Sequence, residues 1–226
     1  LQTMDQNVAA GVLGIKPEQV TINTLWAGGS FGRRAISDSH IVGEAAMLAK
    51  AWGRKQPLKL QWSREDDVRG GYYRPMYVHR VRAGLDADGN IIGWHHRIVG
   101  QSIMAGTAFE GFLVKDGIDK TSIEGVSDTP YAIPNMVGEL HTVKVGVPVL
   151  WWRSVGHSHT AYVVETMIDD LAKAAGKDPV EMRLELLKDK PRHAGVLKLA
   201  AEKAGWGTPL PEGRARGVAV HESFHS

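Results

Sequence analysis

The hydrophobic pattern along the chain changes character from its first half to its last third. Val8, Ala9, Val12 and Leu13 recur at helical spacing within Asp5 to Leu13, and Gly14 offers a stop. Val20 to Trp26 alternates and predicts a strand, with a turn at Lys16–Gln19 before it. A glycine-rich turn follows, Gly28-Gly29-Ser30-Phe31-Gly32. The next apolar stripe, Ile41, Val42, Ala45, Ala46, Leu48 and Ala49, predicts a helix from about Ser39 to Trp52, capped by Ser37 or Asp38. The glycine turn is therefore expected between a strand and a helix.

Pro57 to Trp62 predicts a short strand, and Ser63 to Asp67 a polar turn or a single helical turn. Val78–Leu85 and Ile91–Val99 alternate around Asp86-Ala87-Asp88-Gly89-Asn90, a hairpin signal with Gly89 able to take positive φ. Gly100 to Ser127 lacks a period and predicts an irregular loop, and Pro134 to Lys144 an extended segment. His159 to Ala175 carries the strongest helical stripe, ended by Gly176. Asp178-Pro179 starts a further helix, and His193–Ala204 is a third. Strands first and helices later predict an α+β fold of mixed sheets with packed helices, rather than regular βαβ alternation. Two portions are expected, residues 1–145 and residues 146–226, with a linker at Pro209–Arg216.

Charge and composition narrow the function classes. The net charge is +2 and Lys and Arg are scattered, so no basic patch marks a nucleic-acid surface. No run approaches the roughly 18 apolar residues that span a bilayer, and no signal peptide is visible. The absence of cysteine excludes disulfides, thiolate metal sites, iron–sulfur ligation and a thiol nucleophile in this sequence. The start without Met and the fresh apolar stretch Gly217–Val220 near the end lead to the expectation of a piece of a longer protein.

Three stretches could carry chemistry. Glycines in Gly28–Gly32 let backbone N–H groups approach an anion, and a helix start follows. The spacing fits neither the dinucleotide nor the P-loop fingerprint, and a plain tight turn explains the same residues. Arg33 and Arg34 could pair with phosphate or simply face solvent. In Val149 to Gly156, Arg153 follows two tryptophans, so it faces an anion, stacks on an indole or pairs with a carboxylate. His157 and His159 read as pocket or helix-start residues, and His95 and His96 point to opposite faces of a strand. Without an H-x-x-x-H or H-E-x-x-H pair, no metal ligands are assigned. Glu65-Asp66-Asp67 and Asp169-Asp170 give no acid–base pair.

The order of motifs resembles the large subunit of the molybdenum hydroxylases, the xanthine oxidase family, in its isoquinoline 1-oxidoreductase and membrane-bound aldehyde dehydrogenase branch. The motifs begin with Gly28 to Arg34, Pro57 to Leu60 leading to Ser63–Asp67, and Arg74-Pro75 before Leu85–Ile91. They continue through Tyr131–Asn135, Trp152–Gly156, and Glu165 to Pro179. The resemblance implies a partial molybdenum-cofactor-binding domain, with Gly28, Gly29, Ser30, Phe31 and Gly32 in one cofactor-facing turn. A second turn falls on Arg153, Ser154, Val155 and Gly156.

It further implies molybdopterin cytosine dinucleotide with molybdenum in the intact protein, and its absence from this piece alone. The implied partner is an iron–sulfur subunit, and the implied substrate is a small aldehyde or N-heterocycle hydroxylated with oxygen from water. The family's catalytic glutamate has no match here: Glu222 does not correspond to it, nor Gln2 to the family's glutamine. No catalytic residue is therefore assigned, and the isolated chain is expected to be inactive. Ser30, Ser154 and Val155 depart from the family's glycine and phenylalanine, and His159 stands where a glutamine is common. A non-catalytic binding or assembly module with the same fold is the alternative. A nucleotide-binding enzyme of another class is a third reading, opposed by the glycine spacing. The compartment, periplasmic or cytoplasmic, is left open.

Overall fold

The computed structural model describes residues 2–226. In chain order it contains α1 (Gln2–Leu13), α2 (His40–Trp52), α3 (Arg64–Gly70), β1 (Tyr77–Leu85), β2 (Ile91–Gly100) and α4 (Glu110–Leu113). β3 (Val114–Lys115), β4 (Ile118–Asp119), β5 (Met136–Thr142), α5 (His157–Ala175), α6 (Pro179–Leu186) and α7 (Pro191–Lys203) follow. The fold is α+β, and its segments gather into two interleaved units. Of the described residues, one holds 2–75, 102–114 and 144–153; the other holds 76–101, 115–143 and 154–226.

In the first unit α1 packs on α2. A Cβ at Gly43 would stand 3.2 Å from Val8 Cγ1, so a small residue there allows close approach of the two helices. Lys50 Nζ closes the far end on the Val12 carbonyl at 2.8 Å. Gln6 holds the following turn through the carbonyls of Pro17 and Val20, both at 2.9 Å. Val20–Trp26 and Pro57–Trp62 form no strand, contrary to the strands read from sequence. A strand is a pairwise structure, and among the described residues no neighbouring chain pairs with either segment. The glycine turn is thus flanked by an irregular segment and α2. Ser63 and Asp66 form a reciprocal capping box that lengthens the expected polar turn into α3. Asp38 Oδ1 accepts from the His40 N–H at 3.2 Å, while the N-cap position itself falls to Ser39, which makes no side-chain cap bond.

The second unit contains the main core. β1 and β2 form the expected hairpin, with Gly89 at φ 75° in the turn, and β5 adds beside β2 in parallel. Alternation puts Trp94, His96 and Ile98 of β2 inward. Val164, Ile168, Leu171 and Ala172 of α5 cover them, joined by Val180, Met182, Leu187 and Leu197. Gly217–Val220 carries no strand ladder; Val220 instead is buried in this core and its N–H reaches Glu165 Oε2 at 3.3 Å. The stretch read as an irregular loop, Gly100–Ser127, contains α4, β3, β4 and a 3-10 turn at Lys120–Ser122. No described helix is long and apolar enough to cross a membrane.

Candidate cofactor-binding turns

In the first unit the glycine turn is fixed by the tryptophan segment rather than by a strand. Gly29 and Gly32 take φ 115° and 97°, and Phe31 takes φ 55°. A Cβ on Gly32 would overlap the Trp151 carbonyl oxygen and lie 2.8 Å from Trp152 Cα, so only glycine fits both the dihedral and the space. A Cβ on Gly29 would press on the Phe31 ring at 2.7 Å, whereas one on Gly28 would meet nothing within 4 Å. The glycines therefore serve the turn's own packing first.

The Arg153 N–H donates to the Phe31 carbonyl at 2.9 Å, and Arg74 Nη2 donates to the Arg153 carbonyl at 3.0 Å. The sequence-predicted residues Phe31, Gly32 and Arg153 are thus brought together. The exposed Arg153 guanidinium lies 5.1 Å from the Phe31 ring centroid, a cation–π contact on phenylalanine, where the sequence offered an anion, an indole or a carboxylate. Trp151 instead meets Phe109 edge-on at 5.8 Å, and Trp152 Nε1 donates to the Tyr72 carbonyl at 3.2 Å.

Gly28 to Phe31 are exposed, and among the described residues no hydrogen bond engages the N–H groups of Gly29, Ser30, Phe31 or Gly32. Consecutive N–H groups around left-handed residues make a concavity that suits an anion. The residues present therefore fit an anionic, oxygen- or sulfur-rich group approaching the backbone. Arg33 is turned away from such a role. Its Nη2 meets His40 Nε2 at 3.1 Å and Asp67 at 3.8 Å, and its guanidinium lies over Tyr72. Burial and Arg33 both hold the His40 imidazole below its ordinary range.

Ser154, Val155 and Gly156 belong to the second unit and lead into α5. Ser154 and Val155 have φ 73° and 43°, an uncommon region for any side chain and a true outlier for a β-branched one. A Cβ on Gly156 would overlap the Thr121 carbonyl oxygen. Its N–H donates to Glu124 Oε2 at 3.2 Å, so a carboxylate already sits at the α5 N-terminus. Burial pushes the Glu124 carboxyl up to about 7; the Gly156 N–H opposes this, and Asp128 and Asp119 add to it. Thr160 Oγ1 donates to the Glu124 carbonyl at 2.5 Å.

His157 Nδ1 lies 2.8 Å from His221 Nε2, and burial lowers both imidazoles. His159 lies 2.9 Å from His79, which in turn bonds His96. Among the described residues no three His, Cys, Asp or Glu side chains gather as a metal-holding group. Glu124 and the His79–His96 pairing escaped the sequence reading. The only available signal was strand parity, which put His95 and His96 on opposite faces but named neither the inward one nor its partner.

Comparison with known proteins identifies the family. The molybdopterin cofactor-binding domain family matches residues 1–187. The chain is 31% identical over 205 residues to isoquinoline 1-oxidoreductase subunit beta of Brevundimonas diminuta, covering 90% of this chain and 26% of that protein. It is 31% identical to the membrane-bound aldehyde dehydrogenase (pyrroloquinoline-quinone) of Gluconacetobacter polyoxogenes, covering 92% of this chain and 29% of that protein. The chain thus spans little more than a quarter of these relatives' length. The crystal structure of quinoline 2-oxidoreductase from Pseudomonas putida 86 superposes with a TM-score of 0.71 at 19% identity, covering 90% of this chain and 28% of that one. Since the family match takes in most of the chain and both candidate turns, this protein belongs to the molybdopterin-binding xanthine oxidase family.

Proposed function

We propose that the chain forms part of the cofactor cradle of a molybdenum hydroxylase. The substrate class is a small aldehyde or N-heterocycle, and water is the source of the incoming oxygen. The cofactor, as the cytosine dinucleotide form, supplies the two-electron oxidation when bound. Electrons leave through an iron–sulfur partner subunit; none of these 226 residues is a cysteine that could ligate a cluster.

The observation that carries the reading is the exposed glycine turn. Gly29, Ser30, Phe31 and Gly32 present N–H groups that no described residue engages. These donors would orient an anionic cofactor edge without any charged side chain, while Arg153 keeps the Phe31 carbonyl in place. Ser154, Val155 and Gly156 are the second candidate contact. Catalysis needs a general base from elsewhere in a longer protein, so the chain alone is expected not to turn over. Its coverage of only 26% and 29% of two relatives supports that expectation.

A non-catalytic module with the same fold is favoured by one observation, the Gly156 N–H already donated to Glu124. The two readings separate on molybdenum and released cytosine nucleotide, assayed in the full-length gene product purified with its partner subunit. Near-stoichiometric molybdenum with the nucleotide supports the hydroxylase. No molybdenum from a cofactor-competent host overturns it in favour of the module.

A further inference from the structure

The outer face of the three-stranded sheet in the second unit gathers charge that the linear sequence scatters. Strand parity sends Val78, Arg80 and Arg82 of β1 to the side opposite the core, and all three are exposed. The register sets Val99, Arg97 and His95 of β2 beside them, with His141, Glu139 and Val137 of β5 beyond. Across the face the rows read Val78–Val99–His141, Arg80–Arg97–Glu139 and Arg82–His95–Val137. Val78 is 59% exposed and Val137 54%, so the apolar positions at opposite corners are as open as the arginines.

The charges on this face do not cancel. Glu139 is the only acid in the three strands. Its Oε2 accepts from Arg97 Nε at 2.6 Å and lies 3.8 Å from His141 Nε2, while Oε1 lies 3.2 Å from His95 Nε2. Both carboxylate oxygens are thus taken up. The Arg97 and His95 contacts hold the carboxyl down at about 2, so it stays ionised. Arg80 and Arg82 form no ion pair among the described residues. Arg80 stands opposite Arg97, and like charges in facing positions of a sheet destabilise it. Three arginines against one carboxylate leave a formal +2, as much as the whole 226-residue chain carries.

Edge protection accounts for part of this arrangement. β1 is an edge strand, and charges there discourage pairing with another sheet. That does not account for Arg97 and His95, which lie on the central strand. A second copy of the chain is a poor occupant, because the face repels its own like. Nucleic acid calls for denser basic charge, and this face offers no tyrosine, phenylalanine or tryptophan for a base to stack on. A segment packed on it permanently would bury three arginines with one carboxylate, and unpaired buried charge is costly. Contact between separate proteins keeps such charges at a wet rim and uses them to steer association, and arginine is enriched there.

We propose that this face docks the acidic surface of a separate partner protein. Arg80 and Arg82 take that protein's carboxylates, and Val78, Val99 and Val137 supply the apolar contact. The inference does not rest on the hydroxylase reading.

The test places the photo-crosslinking residue p-benzoylphenylalanine at Val78 of the full-length gene product, expressed in its own host. The expected adduct is a separate polypeptide joined next to an Asp- or Glu-rich stretch. Its yield should fall as salt rises from about 10 to about 150 mM, where the Debye length shortens from about 30 to about 8 Å. Arg80→Glu with Arg82→Glu should lower the yield about tenfold, and Arg80→Gln with Arg82→Gln by an intermediate amount. Lysines in place of the partner's acids should restore crosslinking to the Glu variant. The Gln pair decides the charge dependence if the Glu pair does not fold. An adduct within the same polypeptide, to a second copy, to nucleic acid or to lipid would overturn the proposal. So would the lack of any adduct, or an adduct indifferent to both arginine variants. The readout needs no molybdenum, so its failure and a failed metal assay are separate results.

Discussion

Arg183 is the most consequential buried charge in the second unit, and its replacement by methionine gives a sharp test of how that unit is held together. The guanidinium is wholly buried. Its Nε donates to Glu165 Oε2 at 2.9 Å and its Nη2 to the Glu165 carbonyl at 2.9 Å. Its Nη1 reaches Asp169 at 2.6 Å and the Pro179 carbonyl at 3.1 Å. Glu165 is also buried and keeps the Tyr131 hydroxyl at 2.8 Å and the Val220 N–H at 3.3 Å.

Arg183→Met fills similar volume but strands the Glu165 carboxylate. Removing one partner of a buried pair costs about 3–5 kcal/mol, because the other charge stays desolvated. Burial already raises the Glu165 carboxyl above its ordinary range in spite of Arg183, and the variant should raise it further. An acid whose folded value is raised binds more protons folded than unfolded. The variant's deficit must therefore grow as pH rises from the unfolded carboxylate range, and shrink on acidification. Adding Glu165→Gln removes the stranded charge while leaving an oxygen for Tyr131 or Val220, so the double variant should recover about 2 kcal/mol of the loss. Native-state hydrogen exchange at α5 and α6 reads this locally. A double variant as unstable as Arg183→Met, or a deficit independent of pH, would refute the reasoning.

Three further outcomes are expected. Gly32→Ala puts a Cβ into the Trp151 carbonyl at φ 97° and should destabilise the first unit by about 2–6 kcal/mol, seen as lost exchange protection of the Arg153 N–H that donates to Phe31. Val155→Gly relieves a β-branched residue at φ 43° and should leave stability unchanged or raise it by about 1 kcal/mol in thermal unfolding; a clear loss would show that the valine side chain is needed for packing. Glu124→Gln should stabilise the second unit at pH 8 and have little effect near pH 4.5. The folded carboxyl sits at about 7, so wild-type stability falls as pH rises through that window, by at most about 3 kcal/mol at 1.4 kcal/mol per pH unit. A pH-independent difference between Glu124→Gln and wild type would contradict the assignment.

The sequence revealed the elements that carry their own periodicity. α5 and the β1–β2 hairpin follow from side-chain spacing and one turn glycine, both of which are local. Val20–Trp26 misled because its alternation satisfies strand geometry, yet a ladder needs a second chain and none of the described residues supplies one. The parallel partner of β2 could not be read either: β5 lies beyond a long, irregular crossover, and register over such a distance is a tertiary fact. At the site, the glycine turn was legible as a turn. Its reason was not, because the atoms that exclude a side chain at Gly32 belong to Trp151 and Trp152. The Arg153–Phe31 contact is likewise tertiary, and the sequence left its partner open between an anion, an indole and a carboxylate.

Glu124 joins the strained turn to the electrostatics of α5. The Gly156 N–H lies where an anion would gain from a helix N-terminus, and the described structure puts the carboxylate of Glu124 there. Asp128 and Asp119 press on that carboxylate, and burial does more. A second anion arriving at the same donor would meet Glu124 either protonated or displaced. Two negative groups cannot share one N–H in a partly buried pocket without a large Coulomb cost. Anion binding at Gly156 and proton uptake by Glu124 would therefore be linked, each favouring the other by the same free energy. The glycine turn of the first unit carries no such competitor among the described residues, which is why Gly29 to Gly32, rather than Gly156, bear the weight of the cofactor reading.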